Sequence, residues 1–107
     1  MTVHAKFDDL GHFADPSVLI LTSLAEGAKH GYAIMADIAE FSGVRLEPGT
    51  LYGALARLER QGWIEPMAVE PRRRPYRITG AGQAVLAQQL ASMREIARVG
   101  HRRIATA

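Results

Sequence analysis

The sequence predicts a mainly α-helical domain with a small two-stranded sheet and a long C-terminal helix. Apolar residues recur at helical spacing in four segments. Between the third and fourth of these lies a short segment rich in proline and arginine, in which apolar and polar residues alternate as they do in two paired strands. Three helices followed by a two-stranded hairpin form a winged helix-turn-helix, which we predict for residues 15–79, with a dimerisation helix over 80–107.

Composition limits the class of protein. The chain has 107 residues, so it is predicted to form one domain, and its small core makes dimerisation an expectation. It contains no cysteine, which excludes disulfides and thiolate metal sites. No apolar run is long enough to span a bilayer, and the N-terminus lacks a basic segment followed by an apolar one. We therefore expect a cytoplasmic protein.

The N-terminal region contains a tail and the first helix. In residues 1–14, Phe7, Leu10 and Phe13 are spaced by three, which allows one or two amphipathic turns or a loose tail. Asp15 followed by Pro16 is an N-cap and first-turn pattern, and it predicts a helix to about Glu26.

The first helix is apolar on nearly every side. Val18, Leu19, Ile20, Leu21 and Leu24 leave almost no polar face. Such a helix must be covered on both sides, and a short chain offers little material for this. We therefore expect the second cover, including that of Leu19, to come from another subunit.

The second helix is predicted from Gly31 to about Phe41, with Ile34, Ile38 and Phe41 as its core stripe. Val44–Leu46 then forms an extended link, either irregular or a strand with a single bridge.

The third helix is predicted from Pro48 to about Gln61, and its core stripe is Leu51, Leu55 and Leu58. The strands follow at residues 63–69 and 75–78, joined by residues 70–74. Prolines at positions 66, 71 and 75 are typical of an edge hairpin, because proline cannot donate to a central ladder.

The last helix is predicted to begin after Thr79 as its N-cap and to reach Gly100 or beyond. Its apolar residues follow a heptad pattern, which predicts a dimer interface. The alternative is that the helix folds back on its own core. The residues assigned to dimerisation, with Leu19, are Leu86, Leu90, Met93, Ile96, Ala97 and Ile104.

Charge is distributed unevenly, although the net charge is only +2. Residues 1–44 hold two lysines against six acidic residues, a net charge of −4, whereas residues 45–107 hold eleven arginines against five glutamates, a net charge of +6. Arginine suits phosphates and guanine edges. A GC-rich genome also favours arginine, but it would not keep arginine out of the first 44 residues.

The third helix and the hairpin are predicted to bind DNA. The outward face of the helix is small and basic, and three consecutive arginines at a hairpin tip repel one another unless an anion offsets them. The candidate residues are Thr50, Tyr52, Gly53, Arg57 and Arg60 on the helix, and Arg72, Arg73, Arg74 and Arg77 on the hairpin.

Each candidate also has a structural explanation that the sequence leaves open. Gly53 could relieve crowding against another helix, Thr50 could cap its own helix, and Tyr52 could pack. The arginines could be solvated, and the basic face could instead bind an acidic protein partner.

An enzyme is not indicated. The four histidines are scattered, no pair has metal-ligand spacing on one element, and the glycines form no phosphate loop. We expect no cofactor, no metal and no catalytic residue.

The motifs together resemble those of the PadR family of transcriptional regulators. They are His30-Gly31-Tyr32, Gly49-Thr50-Leu51-Tyr52 with Leu55, Arg57-Leu58-Glu59 and Gly62, and Arg74, Tyr76 and Ile78-Thr79 with Gly82 and Leu86. The resemblance implies a homodimeric repressor of the short type, which binds pseudo-palindromic operators and is released by a small hydrophobic or phenolic effector. It places the third helix in the major groove and the arginine tip on the flanking backbone.

Two departures from the family pattern stand out. Gly53 occupies a position that is often proline, and residues 80–107 contain no aromatic residue that could stack a planar drug. An effector cavity would therefore have to be lined by the N-terminal aromatics together with Leu19, Leu90, Met93 and Ile96.

Overall fold

The computed structural model describes residues 15–67 and 74–107. The elements follow in the predicted order: helices α1 (Pro16–Leu24), α2 (Gly31–Ser42) and α3 (Pro48–Arg60), strands β1 (Ile64–Pro66) and β2 (Tyr76–Ile78), and helix α4 (Gly80–Thr106). The predicted fold class, a winged helix-turn-helix with a long C-terminal helix, is confirmed. The tail at 1–14 and the hairpin tip with Arg72 and Arg73 lie outside the described residues.

Helix α1 begins where the sequence places it. The Asp15 side chain accepts a hydrogen bond from the backbone N–H of Ser17 at 2.8 Å, and Pro16 occupies the first helical position. The helix ends at Leu24, two residues before the predicted end. Its exit turn contains Gly27, which has a φ of 158°.

The core forms around α1 within the single chain. Helices α2, α3 and α4 and strand β2 all pack on it, and Leu19 is only 8% exposed. The expectation that α1 needs a second subunit as its cover is therefore wrong. The long C-terminal helix and the wing provide the covering surface that chain length alone did not indicate. The buried hydrophobic residues are Leu19, Ile20, Leu21, Leu24, Ile34, Ile38, Leu51, Ala54, Leu55, Leu58, Ile64 and Leu86.

Helix α2 differs from its prediction at one core position. Ile34 and Ile38 are fully buried, but Phe41 is 47% exposed. It lies in the last turn before Gly43, which ends the helix in the left-handed conformation at φ 76°. The helical spacing of apolar residues therefore extends to Phe41, one turn beyond the part of α2 that packs in the core.

The link after α2 forms no strand. Val44–Leu46 is irregular, and the isolated bridge occurs instead between Lys29 and Tyr76 of β2. β1 and β2 pair antiparallel, with Glu65 opposite Arg77. Lys29 pairs with the other edge of β2, where it forms a bridge of one residue with Tyr76.

The start of α4 packs closely against the turn that follows α3. Thr79 is the N-cap of α4 as predicted, and its hydroxyl both accepts from the N–H of Gly82 at 3.0 Å and donates to the carbonyl of Gly62 at 2.7 Å. An ideal Cβ on Gly82 would lie closer than 3.0 Å to the Trp63 carbonyl oxygen. This contact fixes the first turn of α4 against the segment that follows α3.

Candidate nucleic-acid interface

Helix α3 separates a core face from an open face. Leu51, Ala54, Leu55 and Leu58 are buried, as the stripe predicted. The other side is exposed along the whole helix, and its residues are Gly49, Thr50, Gly53, Ala56, Arg57 and Arg60. The open face is therefore small in profile and cationic toward its C-terminal end.

Gly53 faces open space. An ideal Cβ at this position, and likewise at Gly49, would meet no atom within 4 Å. The crowding explanation for Gly53 is therefore wrong. A glycine on the exposed face of a helix costs roughly 0.5–1 kcal/mol relative to alanine, and it leaves the backbone accessible to a close partner.

Thr50 does not cap its own helix. Glu47 occupies the N-cap position of α3 and makes no side-chain capping bond, whereas Thr50 lies inside the first turn. The N–H groups of that turn lack side-chain acceptors from the cap residue, and this positive end of the helix lies on the open side.

Tyr52 packs against the start of α2. An ideal Cβ on Gly31 would lie 2.6 Å from the Tyr52 hydroxyl oxygen, so the ring covers the position where any other residue would project. Tyr52 nevertheless remains 51% exposed. The two motifs His30-Gly31-Tyr32 and Gly49-Thr50-Leu51-Tyr52 are therefore in direct contact, which the sequence alone did not indicate.

Arg57 and Arg60 are exposed and pair with no carboxylate in the described ranges 15–67 and 74–107. Arg57 makes one long hydrogen bond, 3.4 Å from its guanidinium nitrogen to the hydroxyl of Ser17. Both guanidinium groups therefore remain available to an anionic or hydrogen-bonding partner.

The wing presents its charge differently. Arg77 points away from the core between Tyr76 and Ile78, as predicted, but its Nε donates to the Glu65 carboxylate at 2.5 Å. That carboxylate offsets the charge of Arg77. Arg74 is exposed at the start of the return strand.

The second half of α4 projects beyond the core. Leu90, Ile96 and Ile104 are 43%, 70% and 77% exposed, respectively, and Ala97 is exposed too. Met93 is half-buried. Of the residues assigned to dimerisation, Leu86 is instead only 6% exposed within the single chain, as is Leu19 at 8%.

The polar side of α4 carries one ion pair, in which Arg98 contacts both carboxylate oxygens of Glu95 at 3.1 and 2.6 Å. The hydrogen bonds from Arg98 lower the pKa of Glu95 below its ordinary value, and the same contact raises the pKa of Arg98.

A cleft of about 300 Å³ lies between α1, α3 and α4. Its apolar walls are Val18, Leu21, Trp63 and Val85, and Arg57 contributes a guanidinium group to its rim. The other polar lining residues are Asp15, Ser17, Gln61 and Gln89. Arg57 is therefore shared between the cleft and the open face of α3.

Two further observations concern the described part of the chain. No cluster of three or more potential metal-ligating side chains occurs in residues 15–67 and 74–107. Across those same ranges, no helix combines the length and apolar character needed to cross a bilayer.

Comparison with known proteins identifies the family. Residues 20–88 match the transcriptional regulator PadR-like family. The chain is 39% identical over 82 residues to the transcriptional regulator Rv3488 of Mycobacterium tuberculosis, an alignment that covers 74% of this chain and 76% of that protein. The fold also resembles that of a PadR family transcriptional regulator from Eggerthella lenta, with a TM-score of 0.80 and 27% identity over 98% of this chain and 94% of that one.

A second relative is considerably longer. The chain is 48% identical over 79 residues to an uncharacterised 37.1 kDa protein in transposon Tn4556 of Streptomyces fradiae. That alignment covers 74% of this chain but only 23% of the relative.

Together, the family match and the structural likeness show that this chain belongs to the PadR-like family, and it is a transcriptional regulator rather than an enzyme.

Proposed function

We propose that the protein is a homodimeric, sequence-specific DNA-binding repressor. The observation that carries the proposal is the open face of α3, which is exposed along its whole length, small in profile, and basic toward its C-terminal end. Family membership supports its use in transcriptional regulation. The repressor role rests on the likeness to the family, and a reporter gene under the bound promoter should rise in expression when the protein is removed.

The open face of α3 has dimensions and chemistry that suit a major groove. The groove admits one α-helix, and an arginine can donate two hydrogen bonds to the O6 and N7 atoms of guanine. Arg57 and Arg60 are the candidates for that contact. In this proposal Gly53 permits close approach, and Thr50 and the helix N-terminus donate to phosphate oxygens.

The hairpin supplies the second contact. Arg74 is exposed, and Arg72 and Arg73 precede it in sequence. A row of like charges is stabilised by phosphates, so we assign this tip to the backbone flanking the groove. Arg77 is a weaker candidate, because Glu65 already offsets its charge.

The exposed side of α4 supports a homodimer. Leu90, Ile96 and Ile104 face water in the single chain, and burying a large apolar side chain stabilises by about 1.5–3 kcal/mol. A second copy of α4 carries the same stripe and would cover it. In such a dimer the two α3 helices would lie about 34 Å apart to enter successive major grooves on one side of B-DNA.

The cleft beside α3 is our candidate for an effector site. Its apolar walls suit a small hydrophobic or phenolic molecule, and the rim position of Arg57 connects the cleft to the DNA-binding face. A ligand that hydrogen bonds to Arg57 would withdraw this guanidinium from the groove and weaken operator binding.

Selection of bound duplexes from a random pool tests the proposal. We expect a two-fold symmetric consensus whose half-sites are one helical turn apart. Recovery of no consensus, together with no mobility shift at low salt, would contradict it.

The salt dependence distinguishes DNA binding from the alternative, an acidic protein partner. If each subunit neutralises about three or four phosphates, log K should fall with log salt with a slope of roughly −5 to −7. A shallow slope with DNA, and tight binding to an acidic protein, would favour the alternative.

Variants test the residue assignments. Replacing Arg72, Arg73 and Arg74 together with alanine should weaken binding to any duplex, whereas Arg57→Ala should reduce discrimination between operator and random DNA more than it reduces random binding. Arg102→Ala, on the exposed end of α4, is the charge-matched control for Arg57→Ala. Equal losses on both duplexes would reassign Arg57 to phosphate contact.

A further inference from the structure

A polar cluster joins the first two helices beneath the wing. The Ser23 hydroxyl, on a residue only 1% exposed, donates to the Asp37 carboxylate at 2.7 Å. The Lys29 ammonium donates to the backbone carbonyl of Ser23 and lies 3.8 Å from Asp37 and 2.9 Å from Glu26. The Lys29 side chain is 16% exposed and that of Glu26 is 70% exposed, so the inner contacts are the sheltered ones.

The Lys29 ammonium supplies a hydrogen-bond donor to a backbone carbonyl at the end of α1. Ser23 lies in the last turn of α1, where backbone carbonyls have no partner within the helix. A cation at this end also interacts favourably with the helix dipole, and a charge-assisted hydrogen bond is stronger than a neutral one. Lys29 thus connects the end of α1 to Asp37 in the middle of α2.

The backbone of Lys29 holds the wing. Its N–H donates to the Tyr76 carbonyl at 3.1 Å, and the Tyr76 N–H donates to the Lys29 carbonyl at 2.9 Å. Tyr76 is the first residue of β2, and the hairpin continues outward from it through the bond between Met67 N–H and the Pro75 carbonyl at 2.8 Å. Lys29 therefore holds β2 at its first residue, two positions after Arg74.

One residue thus links the wing to the helix-turn-helix in two ways, by its backbone to β2 and by its side chain to α1 and α2. Lys29 does not lie on the open face of α3. If the ammonium loses its partners, the backbone of residue 29 loses an anchor, and the direction of the hairpin relative to α3 is less tightly fixed.

We propose that Lys29 is a positioning residue for DNA binding, which holds strand β2, and Arg74 just before it, in place relative to α3 through its backbone pairing with Tyr76. The proposal rests on the proposed function, in which the tip contacts the DNA backbone. It assigns to Lys29 no contact with DNA.

A double-mutant cycle tests this coupling. The four proteins are wild type, Lys29→Met, the tip variant with Arg72, Arg73 and Arg74 replaced by alanine, and the combination. Methionine keeps the length and apolar stem of lysine and removes only the ammonium. We expect Lys29→Met to weaken operator binding by about three- to tenfold in the wild type and by less than twofold in the tip variant, because coupled sites are not additive.

Two results would overturn the proposal and can be told apart. An equal loss in both backgrounds would mean that Lys29 acts independently of the tip, either as a direct phosphate contact or through general stability. A tip variant that binds as well as wild type would remove the wing from the interface and would refute that part of the proposed function as well.

Controls separate positioning from folding. Glu26→Gln removes only the exposed partner of Lys29 and should change affinity by less than twofold, whereas Lys29→Arg should restore most of the affinity lost in Lys29→Met. Hydrogen exchange of the Tyr76 amide should speed up in Lys29→Met while that of the Leu55 amide in α3 remains slow. Unchanged Tyr76 exchange would refute the positioning role.

Discussion

Gly82→Ala should destabilise the protein although alanine is the better helix former. Gly82 lies in the first turn of α4, where its Cα faces the Trp63 carbonyl oxygen. A Cβ there would lie closer than 3.0 Å to that oxygen and 2.9 Å from the side chain of Ile78. Because the obstacle is backbone, α4 must move by an amount on the order of 1 Å to restore van der Waals separation.

That movement would weaken the hydrogen bonds that hold Thr79, the N-cap of α4, and the cost of this can be approximated. The Thr79 N–H donates to the same Trp63 carbonyl at 3.0 Å, and the Thr79 hydroxyl donates to Gly62. Overpacking costs about 1–3 kcal/mol, and each weakened hydrogen bond adds about 0.5–1.5 kcal/mol. The propensity gain of alanine offsets roughly 0.5–1 kcal/mol. We therefore expect a net loss of about 1–5 kcal/mol.

Chemical denaturation at a fixed protein concentration measures this loss, since the stability of an oligomer depends on concentration. Gly53→Ala is the matched control, because it makes the same chemical change on the exposed face of a helix, where the new Cβ would meet no atom within 4 Å. It should raise stability by about 0.5–1 kcal/mol and weaken operator binding. A Gly82→Ala protein as stable as wild type would refute the argument that this contact fixes α4.

The remaining predictions concern three other contacts. Gly31→Ala should destabilise by about 1–3 kcal/mol by displacing Tyr52, and adding Tyr52→Ala should recover part of that loss in a thermal unfolding assay; full additivity would argue against the contact. Ile104→Glu should shift the molecular mass measured by light scattering from dimer toward monomer while leaving the helical content unchanged, since Ile104 is 77% exposed in the single chain; an unchanged dimer would exclude this part of α4 from the interface. The Glu95–Arg98 pair should stabilise α4 at pH values above the ordinary pKa of glutamate, and this stabilisation should be lost as the pH falls through the lowered pKa of Glu95. The free energy of unfolding of Glu95→Gln should therefore depend less on pH in the acidic range than that of the wild type. Parallel curves of unfolding free energy against pH would contradict this.

Local patterns determined the elements of this protein. Asp15-Pro16 and Thr79 mark helix starts through backbone capping, which depends on neighbours only a few residues away, and both appear where the sequence placed them. The apolar stripe of α3 was equally readable, because one helix face packs on a single core. The exposed, basic opposite face followed from the same periodicity.

Tertiary packing decided what local patterns could not. Whether α1 needed a second subunit depended on how α4 and the wing fold over it, and Phe41 continued a helical period beyond the limit of the core. The contacts of Gly31 with Tyr52 and of Gly82 with Trp63 join residues about twenty positions apart, so they had no periodic signal. Lys29 carried no motif either, because its role arises only where the end of α1, the middle of α2 and the edge of β2 converge.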